Sequence, residues 1–369
     1  MSHSDVFQCF VEDISAGAAV HVPKDGLEAE IFGVVDGYVN HLNGLRNSKG
    51  SVLDIECGFV KNYDFNGAAG VNEGLHCCLL DVNLVGAMTD LAMTALSIPD
   101  VLTDVGKPEL EDVSRVTRRN WPMGYALAVA PEIDDRDPFE RLTRPLDVTR
   151  RLCAVYLLQV AVDLLWRHEV AHVLLGHVDF ARDSYSLRAL NERAMGGKQF
   201  EVLPMEVEAD KHALLSCLDS ASQGAAYFPR TGLELTTHQR YRCTILAASL
   251  VLWFWSYLEK HDRRNDPSYK PSETHPPSVL RLIQILTGIW EYFVRVNRDA
   301  DGFIYVMDRI HDDLQAISHA HPRFEILNPK KLYAPEMTDA ATKTHKFIAQ
   351  QRDSQKKHLE PYRFFTPQV

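Results

Sequence analysis

Between Asp147 and Gly176 the chain contains neither proline nor glycine, and its apolar residues recur at helical spacing. Asp147 or Thr149 can cap the start, and Gly176 suits the stop, so one long helix is expected here. A second helix is expected from Pro204 to about Leu218, another over the apolar run Thr244–Leu258, and a further one over Ser278–Arg295. Before Asp147 the pattern is mixed. Ile31–Leu42 has helical spacing, Val52–Phe59 looks strand-like, and Leu75–Val82 is a short apolar run fit for a strand, with Asn66-Gly67 as a turn signal ahead of it. Residues 99–145 carry many Pro, Asp and Arg and are expected to form an irregular connection. Residues 181–200 and 262–277 are polar loops in this reading. Short helices and a Lys- and Gln-rich tail with a poorly ordered end are expected for the last stretch.

This pattern predicts an α+β, mostly helical fold in three parts. Residues 1–145 form an N-terminal mixed segment, 146–300 a helical core, and 301–369 a C-terminal helical extension. With 369 residues, the chain suits one large unit or two moderate ones. The run Thr244–Leu258 is shorter than the ~20 residues of a membrane span, so a buried core helix is expected. Trp253, Phe254, Trp255 and Tyr257 wrap around that helix and read as packing.

Charge and cysteines narrow the classes. Lys and Arg number 39 against 50 Asp and Glu, a formal charge of -11, and no convincing basic patch stands out. Nucleic-acid binding is therefore not expected. The opening segment lacks the basic and apolar regions of a signal peptide, and the seven cysteines form no CxxC pair. Both features fit a reducing, cytoplasmic location without a disulfide framework. Cys77 and Cys78 point to opposite faces of a strand and cannot converge on a metal with His76. No phosphate-binding glycine loop is present.

The chemistry concentrates at His168-Glu169-Val170-Ala171-His172 in the long helix. Two histidines at i and i+4 share a face and can bind one metal ion. Glu169 stands beside the first and can reach a water there as a general base. In a chain with 16 His such a pattern arises by chance only ~0.04 times. A tetrahedral catalytic zinc takes three protein ligands. A further histidine ten residues after the first is absent, because Val178 stands there. His177, one place short, is better read as supporting a ligand from behind or as a helix-end residue. Glu206 is the expected third ligand. Asp210, four residues on and on the same face, can accept a hydrogen bond from a ligating imidazole, while Glu208 points elsewhere. At Thr274-His275-Pro276, His275 can stabilise an oxyanion, and Arg281 can pair with a carboxylate to hold that segment.

Together the three segments, His168-Glu169-x-x-His172, Glu206-x-x-Ala209-Asp210 and Thr274-His275-Pro276 with Arg281, resemble the gluzincin zinc peptidases of the HtpX and CAAX prenyl protease type. The resemblance covers about 168–281. Those relatives are embedded in membranes and this chain shows no spanning run, so it is more similar to soluble branches, including phage-exclusion proteases of the Lit type. The resemblance implies a zincin-like core with His168, His172 and Glu206 binding one zinc per chain and Glu169 as the base. It implies a protein or peptide substrate cleaved by hydrolysis. The segment Asn66–Ala69 with the strand after it also resembles the edge-strand region of such enzymes. An extended peptide could add to that strand, with Leu75, Cys77 and Leu79 along the cleft. The alternative is a catalytically silent zinc-binding scaffold that acts as a sensor or partner-binding protein. Nothing in the sequence speaks to oligomeric state.

Overall fold

The computed structural model describes residues 3–14, 20–21, 26–60, 67–117, 143–187, 189–190, 199–224, 233–265, 278–294 and 300–364. The fold is α+β and mostly helical. Helices α1 (His3–Ile14) and α2 (Gly26–Leu42) accompany strands β1 (Val20–His21), β2 (Ile55–Val60), β3 (Gly67–Asn72) and β4 (Leu75–Asp81). After α3 (Val82–Leu96) and the short α4 (Ser114–Thr117) come α5 (Val148–Leu174), α6 (His177–Tyr185), β5 (Ala189–Leu190) and α7 (Gln199–Ser222). The chain continues through α8 (Thr237–Asn265), α9 (Ser278–Tyr292), α10 (Ala300–Ala320), α11 (Pro329–Leu332) and α12 (Pro335–Leu359).

The strands form one sheet in the order β1-β2-β4-β3-β5. β4 lies in its interior, parallel to β2 and antiparallel to β3. The β3–β4 hairpin closes through Glu73 and Gly74, both at positive φ (47° and 88°), which matches the twist of the flanking strands. This corrects the expected edge. Both sides of β4 are hydrogen-bonded to neighbours, so it has no free backbone for a peptide. Leu75, Cys77 and Leu79 are buried against α1, in a cluster with Phe7, Phe10 and Val11. A strand whose residues are buried on both faces is a sheet centre, and its near-continuous apolar run has that cause.

Helix α5 forms as its cap and stop signals dictate. The Asp147 side chain accepts from Arg150 N at 3.0 Å, and Gly176 follows the last turn in a left-handed conformation (φ 76°). The helix spans 27 residues, or about 40 Å. From Tyr156 to Leu174 it is buried all round, as a helix at the centre of a large core must be. α8 is the apolar helix expected over 244–258, extended at both ends. Its Thr237–Leu258 stretch is long and apolar enough to cross a membrane, yet 94% of that window is buried within the protein. Trp253, Phe254 and Trp255 pack inside.

Two expectations change, and one loop gains a cause. α7 begins at Gln199 rather than at Pro204, so the proline sits inside the helix and gives up one main-chain bond there. The C-terminal stretch holds two long helices, α10 and α12, rather than short ones. The irregular connection after α3 is organised around one buried cation. Arg150 donates to the carbonyls of Leu96, Ile98, Val101, Leu102 and Val105 at 2.9–3.2 Å, and Glu111 lies 3.6 Å from its Nε. Glu111 in turn accepts from the N–H groups of Leu146 and Asp147. A loop without regular structure thus satisfies its inward carbonyls through one side chain. One hydrophobic cluster joins residues from Val35 to Phe364 and so draws on all three sequence segments.

Candidate metal centre

α5 and α7 meet where both carry small residues. Ala171 and Ala209 are fully buried against each other with Leu175, and the absence of larger side chains lets the two helices approach closely. That approach places Glu206 opposite the two histidines. His168 Nε2 and His172 Nε2 are 3.1 Å apart; Glu206 Oε2 lies 3.3 Å from the first, and Oε1 lies 3.4 Å from the second. One atom from each residue falls within 4.8 Å of the others, and all three side chains are buried. Glu206 Oε2 accepts no hydrogen bond among the described residues. Two imidazole nitrogens and a carboxylate oxygen, converging on one point with an orphaned buried acceptor, fit a divalent ion. The group could hold a metal ion.

The backs of the ligands are also engaged. His168 Nδ1 lies 3.0 Å from Asp210 Oδ1. Arg281 grips Asp210 with two bonds, Nε to Oδ2 at 2.8 Å and Nη2 to Oδ1 at 2.7 Å, and its guanidinium stacks over Trp255 at 4.9 Å. Arg281 thus pairs with a carboxylate, that of Asp210. On the other side, His172 Nδ1 is 3.1 Å from His177 Nδ1, and His177 Nε2 is 3.2 Å from Glu208 Oε2. Arg363 Nη2 donates to Glu208 Oε1 at 2.7 Å. The helix period takes Glu208 off the metal-facing side of α7, and it lands on His177.

Electrostatics reflect this crowding. Burial alone would raise the Glu206 carboxyl, but His172 and His168 hold it well below the usual carboxylate range. Burial works against a proton on His168, yet Asp210 and Glu206 carry its pKa well above the ordinary histidine value. Asp210 is likewise held low against burial, by Arg281 and His168. His177 goes the other way: burial, with His172 and Arg363 adding to it, outweighs Glu208 at 3.2 Å and pushes it down to about 4, leaving a neutral imidazole. Glu208 is held at about 2, against burial, by His177 and Arg363.

Glu169 comes directly after His168 on α5 and is buried beside the start of β3. A Cβ on Gly67 would fall inside contact distance of the Glu169 carboxylate, so the bare backbone there makes room for it. β5 pairs with β3 at Ala69 and Gly70. His275 lies outside the described residues, as do Thr274 and Pro276. Sequence reasoning gave Arg363 no role, set Glu208 aside as pointing elsewhere and read Trp255 as packing. Gly67 was marked by the Asn66-Gly67 turn signal and by the likeness of Asn66–Ala69 to an edge-strand region.

No protein-family profile, no curated protein and no solved structure matches the chain.

Proposed function

We propose that the protein is a zinc-dependent metalloendopeptidase with a zincin-like arrangement, hydrolysing peptide bonds in a protein or peptide substrate. The convergence of His168, His172 and Glu206, with Glu169 one position after the first ligand, carries this reading. Two histidines and one carboxylate are the ligand set of hydrolytic zinc sites that leave one position open. Zinc, when held by these residues, supplies Lewis-acid polarisation of the scissile carbonyl and of the attacking water.

The protein's own groups supply the rest. Glu169 takes the proton of the attacking water and hands it to the nitrogen of the leaving amine. Asp210 fixes the proton of His168 on Nδ1, which keeps Nε2 free as a ligand atom. Arg281 keeps Asp210 ionised for that task.

The test is elemental analysis of the purified protein beside His168→Ala, then mass-spectrometric profiling of a peptide library. About one zinc per chain, lost in the variant, with chelator-sensitive cleavage, supports the proposal. Zinc without cleavage of any library member points to a silent metal-binding scaffold, and no metal in either protein ends both readings.

A further inference from the structure

The geometry points to the C-terminal segment 360–364 as a working part of the metal centre, with Arg363, Glu208 and His177 as positioning residues that orient His172. This inference rests on the metal-centre reading of His168, His172 and Glu206.

Once His172 Nε2 faces a metal, its only proton sits on Nδ1 and must be donated. The acceptor is His177 Nδ1, at 3.1 Å. An imidazole that accepts on Nδ1 carries its proton on Nε2, and His177 donates that proton to Glu208 Oε2 at 3.2 Å. Glu208 accepts it as a carboxylate and accepts a second bond from Arg363 at 2.7 Å. One assignment of protons therefore satisfies the whole chain of contacts, and it ends on a cation that can only donate. His177 is fully buried, so an alternative partner from water is excluded in this conformation. His168 is held in the parallel way by Asp210 and Arg281, but there every member lies within the segment bounded by α5 and α9. The His172 branch instead depends on a residue near the far end of the chain.

That residue is held in place by several independent contacts. Phe364 N donates to Leu174 O at 2.9 Å, at the last turn of α5. The Tyr362 main chain occupies the space where a Cβ on Gly176 would stand. Asn47 and Ser48 donate to the carbonyls of Tyr362 and Pro361 at 3.4 and 3.1 Å, and the Lys49 ammonium sits 3.5 Å over the Tyr362 ring. Phe364 packs edge-on against His76, and Leu359 packs with Phe180 and Met205. The segment is thus seated on the loop after α2, on the end of α5 and on α6, with Arg363 aimed at Glu208.

The experiment measures metal affinity by chelator competition with Zn²⁺, and the visible absorption of the Co²⁺-loaded full-length protein, for wild type, Arg363→Ala, Arg363→Lys, Glu208→Ala and the double alanine variant. Loosening the contacts that hold His177 against His172 is expected to weaken metal binding, with the roughly 10- to 100-fold cost of losing a ligand's direct outer partner as the ceiling, and to shift the Co²⁺ bands. Arg363→Lys, which keeps a donor cation, should recover part of the loss. The double variant should lose little more than either single one, because both act through one chain of contacts. If circular dichroism finds Arg363→Ala unfolded, Arg363→Lys and Glu208→Gln decide by the same two readouts. Wild-type affinity and spectrum in folded Arg363 and Glu208 variants overturn the inference and leave the metal centre standing. A wild-type protein that binds neither ion overturns both.

Discussion

Gly67 and Glu169 share a space that has room for one of them to be a side chain and not both: the Glu169 carboxylate occupies the volume a Cβ at Gly67 would fill. Gly67→Ala must therefore move the carboxylate. The clashing atoms are the far end of a flexible side chain, so folding should suffer little. A base displaced by about 1 Å costs on the order of 100-fold in rate, and that loss is the expected outcome for hydrolysis. Zinc content should stay at the wild-type level, because no ligand is touched. Metal analysis with a cleavage assay checks both halves, and unchanged cleavage would remove Glu169 from its assigned role.

Glu169→Gln keeps the shape and removes the proton acceptor. Zinc should remain bound while hydrolysis falls at least about 100-fold, the scale of general-base contributions. Kinetics on any substrate found in the library, run beside metal analysis, give the answer. A variant as fast as wild type would place the base elsewhere.

Glu206→Ala deletes a ligand rather than a supporting partner. Its metal affinity should fall further than the roughly 10- to 100-fold typical of outer contacts. The measurement is competition with a chromophoric chelator. Unaltered affinity would move the third ligand to another residue.

Arg281→Ala leaves the Asp210 carboxylate buried without its cation. Breaking a buried pair from one side costs about 3–5 kcal/mol, so the variant should unfold at markedly lower denaturant concentration. It should also bind metal more weakly through His168. Urea titration with and without added zinc separates the two effects.

Arg150→Met tests the loop rather than the site. Five buried carbonyls lose their donor, and Glu111 loses the charge beside it. Each unsatisfied buried group costs about 1–3 kcal/mol before relaxation, so a loss of several kcal/mol is expected. Thermal unfolding reads it directly. A near-neutral result would mean that the loop carbonyls find water instead.

Local periodicity and local caps were legible in the amino-acid order alone. Asp147 and Gly176 bound α5 because capping and left-handed glycine stops act within a turn. His168 with His172, and Glu206 with Asp210, share faces because residues four apart on a helix must. The aromatic run at 253–257 reads as packing because its spacing wraps it around a helix. Whatever depends on which surfaces are brought together came from the folded chain instead. β4 became the sheet interior once β2 and β3 paired on both its sides, and an apolar strand run cannot reveal its place in the order. Nothing in the order of residues marks Arg150 as the buried donor around which the loop after α3 folds. Gly67 reaches Glu169, and Arg363 reaches Glu208, only because the common core draws β3 and the end of the chain onto α5 and α7. Such contacts are set by burial between distant segments, and burial of that kind leaves no period in the sequence.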